Sequence, residues 1–181
     1  MRFSNKQTAL ILGQSQTKAR RWAKEFLPAD PEKGLRSGKT RRHSLNEVFT
    51  IFLGGYLVDK MGFGISVARA ILKDLTPWMG REGLFPQRTS NHDPKDLGKE
   101  KVERYEIVIM PTRSPLGFCY ELRGLIREQR GTDGIVRGKY VVHHFFGSET
   151  DEVTPAVNHA RILNISSLLH RFQIMLSCYT H

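Results

Sequence analysis

Ser15-Gln-Thr-Lys-Ala-Arg-Arg-Trp-Ala-Lys24, followed by the basic segment Gly34 to His43, is the stretch on which the reading of this chain turns. On a helical wheel Ala19, Trp22, Ala23 and Phe26 fall at i, i+3, i+4 and i+7, while Thr17, Arg20, Arg21 and Lys24 share the opposite face. One face suits a core and the other is a row of positive charge. Upstream, Ser4 with Gln7 has the form of a capping box, which opens a first helix over about residues 5 to 12. Gly13 ends that helix, since glycine tolerates the positive φ of a C′ position, and Gln14-Ser15 leads into the second. Two helices joined by a glycine turn in so short a span form either an ordinary αα-hairpin or a helix-turn-helix. The basic face of the second helix favours the latter, in which that helix enters a DNA groove.

The distribution of charge supports this reading. The chain of 181 residues carries a formal net charge of +10, and residues 1 to 44 hold 11 Lys or Arg against 3 Asp or Glu. Such a balance points to a polyanionic partner, and the footprint is N-terminal. Cys119 and Cys178 lack the short paired spacing of a zinc or redox motif, so we expect reduced, mostly buried thiols and no metal. The first residues hold no apolar signal core, and the longest apolar run, 48 to 58, is too short to span a bilayer. A cytoplasmic protein with no membrane contact is the expectation.

Residues 28 to 43 contain two prolines, two glycines and no helical period. A two-stranded ribbon with its tip near Ser37-Gly38 fits, and it would carry Arg36, Lys39, Arg41 and Arg42 towards phosphates, with His43 closing the same basic segment. Ser44 and Glu47 form a second capping box, opening a helix whose apolar positions 49, 52, 53, 56 and 57 define one face. Met61-Gly62-Phe63-Gly64 breaks it. Ala68, Ile71, Leu72 and Leu75 mark a fourth helix, which Pro77 is expected to stop.

The order helix-turn-helix, basic wing, Arg41-Arg-His-Ser44 leading into an apolar helix, then Met61-Gly-Phe-Gly-Ile65 leading into another, resembles the winged-helix DNA-binding domain of the MerR superfamily over about residues 2 to 75. Arg20-Arg-Trp-Ala-Lys-Glu-Phe-Leu-Pro28 is similar to that family's recognition helix and its exit. The resemblance implies that Gln16, Thr17, Arg20 and Arg21 lie in the major groove and that Arg36, Lys39, Arg41 and Arg42 hold backbone from the wing. The residues themselves give the same face, with Lys18 and Lys24 extending it: Arg suits guanine O6 and N7, Gln suits adenine, and Thr suits a phosphate or a thymine methyl. Half or more of such contacts go to phosphate and sugar, so which side chain reads a base stays open. Family members usually continue into a long dimerising helix, which Thr76-Pro-Trp-Met-Gly80 interrupts, and the cysteines of the metal-sensing members have no counterpart there.

Residues 77 to 101 read as a linker or long loop between a DNA-binding domain, 1 to 76, and a second domain, 102 to 181. Strand character appears in 102 to 110, 117 to 123 and 139 to 146. Residues 160 to 165 read as a further strand running into a helix capped by Ser166-Ser167, with one helix from Pro155 as the alternative. The fold class is α+β, a winged helix-turn-helix of four helices followed by a small α+β or mostly β domain. Catalysis finds little support in the second half. Adjacent His143 and His144 alternate on a strand, and His159 and His170 are eleven apart. Arg123, Arg127, Arg130, Arg137 and Lys139 form a second basic cluster, either a solvated face or an anion-binding one. We therefore expect a sequence-specific DNA-binding transcription regulator, bound to double-stranded DNA as a homodimer, without enzymatic activity or cofactor. The alternatives are an excisionase-like architectural or recombination-directing DNA-binding protein and, less favoured, a DNA- or RNA-recruited enzyme with a catalytic C-terminal domain.

Overall fold

The computed structural model describes residues 2–29, 41–86, 104–112, 117–132, 134, 136–146 and 160–180. Among them the chain is α+β, with five helices and two antiparallel sheets, one of two strands and one of four. It parts into two compact units. The first holds Met1–Thr76, Phe85–Arg88 and His170–His181, and the second holds Pro77–Leu84 and Thr89–Leu169. The last residues do not follow the expected division, because 170–181 join the first unit.

In the first unit, α1 (Asn5–Ile11) starts at a complete capping box: the Ser4 hydroxyl accepts from the Gln7 amide and the Gln7 side chain accepts from the Ser4 amide at 2.8 Å. Gly13, at φ 59°, makes the turn. The next helix, α2 (Gln16–Phe26), is capped by Ser15, whose hydroxyl accepts from the Lys18 amide. The strands β1 (Arg2–Phe3) and β2 (His43–Ser44) pair antiparallel, with Phe3 opposite His43. The ribbon expected around Ser37-Gly38 lies outside the described residues. The strand that His43 does form pairs with the start of the chain.

The helix α3 (Leu45–Asp59) opens at the second capping box, between Ser44 and Glu47. Its burial exceeds the single apolar face expected at 49, 52, 53, 56 and 57. Phe49, Leu53 and Leu57 are buried and Phe52 and Tyr56 half-buried, and Val48, Thr50, Ile51, Gly54 and Gly55 are buried besides, so this helix is the centre of the unit. One reason is α5 (Ile165–Thr180), whose Phe172 is fully buried with its ring centroid 5.2 Å from Phe49 and 5.6 Å from Phe52. The other is α2. A methyl group placed on Gly55 would fall 2.3 Å from the Trp22 ring, and one on Gly54 would fall 2.4 Å from the Phe26 ring. The glycine pair is what lets α2 approach α3 so closely.

The helix α4 runs Ile65–Arg81 with Pro77 inside it, so the expectation that Pro77 stops the helix is corrected. An interior proline costs about 3 kcal/mol. Burial of Trp78 and Met79, each contributing roughly 1.5 to 3 kcal/mol, offsets this. The stop comes at Gly83, at φ 69°, where the Leu84 amide donates back to the Met79 carbonyl at 2.9 Å in a Schellman-type closure. The first part of the expected linker is therefore helical, and the rest, from residue 87, lies outside the described residues.

The second unit is built on a sheet ordered β5-β4-β3-β6, from β3 (Arg104–Pro111), β4 (Phe118–Arg130), β5 (Val136–Phe146) and β6 (Arg161–Asn164). Ile107 lies opposite Leu122 on one side and Leu163 on the other, and with Tyr105, Ile109 and Tyr120 it forms the buried face. The strand-then-helix reading of residues 160 onwards agrees with this arrangement. The cap differs: Asn164, not Ser166-Ser167, accepts from the Ser167 amide at 2.9 Å, and the Ser166 hydroxyl accepts instead from the Tyr105 amide of β3 at 2.8 Å. Cys119 is buried, which pushes its thiol pKa up, whereas Cys178 is exposed rather than buried as expected.

Candidate nucleic-acid interface

The two faces of α2 are sharply separated. Ala19, Trp22, Ala23 and Phe26 are buried, and Gln16, Thr17, Arg20, Arg21 and Lys24 are exposed. Packing against Gly54 and Gly55 fixes the inner face, and the helical period then sets the outer residues in one surface row. Arg20, Arg21 and Lys24 make no ion pair with a carboxylate among the described residues. Their charge is available to a partner.

Three of the expected interface residues are held in other ways. The Lys18 ammonium lies 2.6 Å from the Asp59 carboxylate of α3 and 4.6 Å from the centre of the Trp22 ring. It fastens α2 to α3 and stands apart from the row formed by Arg20, Arg21 and Lys24. Arg41 is half-buried, donating to the Pro28 carbonyl at 2.7 Å and to the Glu47 carboxylate at 2.6 Å. It joins the end of α2 to the start of α3. His43 is only 1% exposed, with Nε2 2.9 Å from Asn5 Oδ1, and burial removes it from any surface set. Arg42 is exposed. Arg36 and Lys39 lie outside the described residues.

Glu47 is the centre of this junction. Burial alone would push its carboxyl pKa up, yet the Ser44 amide, the Arg41 guanidinium and nearby His43 outweigh burial and hold it below its ordinary value. One carboxylate thus caps α3 and anchors Arg41. A second clamp lies at the same, C-terminal end of α2, where Arg69 of α4 donates to the Glu25 carboxylate and, at 2.9 Å, to the Glu25 carbonyl.

No family model and no curated protein matches this chain. What can be said of the site rests on its own geometry. No helix among the described residues is long and apolar enough to cross a membrane. No group of three His, Cys, Asp or Glu among them could hold a metal. Of the second basic cluster, Arg123 pairs with Glu121, and the side chains of Arg127, Arg130, Arg137 and Lys139 lie outside what is described. His143 and His144 sit opposite Leu122 and Glu121 in the β4–β5 register, His170 is exposed on α5, and His159 lies outside the described residues.

Sequence reasoning missed Asp59, Glu25 and Arg69. Each meets its partner across more than forty residues of chain. Glu47 did carry a local signal, its place in a capping box, but only for its bond to Ser44.

Proposed function

We propose that this protein is a sequence-specific, double-stranded-DNA-binding transcription regulator whose first unit is a winged helix-turn-helix of MerR type. It acts by binding rather than catalysis, as a homodimer in the cytoplasm. The observation that carries this reading is α2, a helix held rigidly by its inner face while Gln16, Thr17, Arg20, Arg21 and Lys24 stand free in one outer row. A helix of this kind fits the major groove, where guanidinium forks match guanine edges and the remaining cations neutralise phosphates. Arg42 adds a further exposed cation beyond the Arg41 anchor. A single such helix covers few base pairs, and a two-fold pair on inverted half-sites is the usual solution.

The test is selection from random oligonucleotides with the full chain at near-physiological salt. The expected result is an enriched inverted repeat. Recovery of duplexes with no shared motif would favour an architectural role, and recovery of nothing would reject the reading. Affinity for the selected site should also fall with salt. Each phosphate neutralised contributes about −0.9 to the slope of log K against log salt, so Arg20, Arg21, Lys24 and Arg42, each on a phosphate, together predict a slope of about −3.6 for one copy.

A further inference from the structure

A cleft opens on the inner side of α2, within the first unit. Trp22, Phe52 and Tyr56 give it aromatic walls, and Asp59, Lys60 and Arg171 bring charge to it. The Asp59 carboxylate pairs with Lys18 at 2.6 Å. Lys60 and Arg171 are exposed, and neither pairs with a carboxylate among the described residues. The cleft therefore combines aromatic surface with two unmatched cations.

Its size narrows the ligand. The cavity measures about 70 Å³. At roughly 10 to 15 Å³ per water-sized sphere this is room for about five waters, on the order of 150 Å³ of liquid. That volume suits one aromatic ring with a short acidic arm.

We infer that this cleft binds a single-ring aromatic carboxylate. The ring lies against Trp22, Phe52 and Tyr56, where edge and face contacts between aromatic groups are favourable. The carboxylate is taken by Lys60 and Arg171, the latter offering a planar fork that matches it. The site itself stands independently of the DNA reading. Its consequence rests on that reading: Trp22 belongs to the helix that carries Arg20 and Arg21, so an occupant of the cleft acts on the rear of the proposed reader.

Titration of the full-length protein, free of DNA, with benzoate, phenylacetate, salicylate and 4-hydroxybenzoate tests the site by two-dimensional amide NMR. At least one acid should shift the Gly55, Tyr56 and Lys60 signals saturably. Arg171→Gln and Lys60→Gln, both at exposed positions, should keep the melting temperature and weaken that acid by about tenfold or more, the effect of losing a charge-assisted bond. Neutral benzamide should bind more weakly by a similar factor. No saturable shift with any of the four acids up to about 10 mM would overturn the inference. Binding that is indifferent to both substitutions, or equal for benzamide, would do the same. Because the readout needs no DNA, failure of the site and failure of the DNA reading are separable.

Discussion

Replacing Gly55 by alanine tests whether the approach of α2 to α3 sets the orientation of the basic helix. In an unobstructed helix this change would stabilise by about 1 kcal/mol, because alanine is the better helix former. Here the added methyl would lie 2.3 Å from Trp22 Cζ3 and 2.5 Å from Cη2. Carbon atoms prefer about 3.5 to 4.0 Å, so the ring must retreat by more than 1 Å. Trp22 is only 6% exposed, with Lys18 over its ring. Such overpacking costs typically about 1 to 3 kcal/mol. Set against the gain in helix propensity, we expect a net loss of up to about 2 kcal/mol, which for a chain of this size lowers the melting temperature by up to about 8 °C. Circular dichroism measures the melt, and retention of duplex DNA measures the second consequence, because displacement of α2 moves Arg20 and Arg21 with it. A variant that melts higher than the parent and keeps its DNA affinity would refute the reasoning. Gly54→Ala, against Phe26, should act in the same direction, and the two together should cost less than their sum because both push the same helix.

Arg20→Ala should cost about 1 to 3 kcal/mol at a selected DNA site and little on random duplex if this side chain reads a guanine. Equal losses on both would make it a phosphate contact. Arg42→Gln should weaken both DNAs alike and leave the melt unchanged, whereas Arg41→Gln should lower the melting temperature, since it removes the bonds to Pro28 and Glu47. Were the two to behave identically in both assays, the separation of anchor from contact would be wrong. Glu47, held below its ordinary value of 4.5, contributes stability that is present above that pH and is lost as the pH falls through the folded value. Glu47→Gln should therefore be less stable than the parent near neutrality and should flatten the loss of stability below about pH 4.5. An unchanged acid limb would remove Glu47 as its source.

The parts legible in the sequence were the local ones. Capping boxes at Ser4-Gln7 and Ser44-Glu47 are signals closed within four residues, and both form. The inner row of α2 follows from period alone. Charge was harder to read, because a basic residue looks the same whether it faces solvent or a distant carboxylate. Lys18 and Arg41 belong to Asp59 and Glu47, and His43 is buried beside Asn5, yet all three sat in runs that looked uniformly available. Pro77 misled for a related reason. Its local cost is real, and the burial of Trp78 and Met79 that outweighs it is a tertiary fact.

The place of Phe172 decides how this protein can be divided. The first unit is discontinuous, since the chain leaves it within α4, touches it again at Phe85–Arg88 and returns to it within α5. A fragment ending at residue 76 would keep every residue of the basic helix and still lose the ring that packs between Phe49 and Phe52. The underside of α3 would then be bare hydrocarbon. A fragment meant to keep this packing carries α5, and Phe85 with it, whose ring lies 6.0 Å from Phe49.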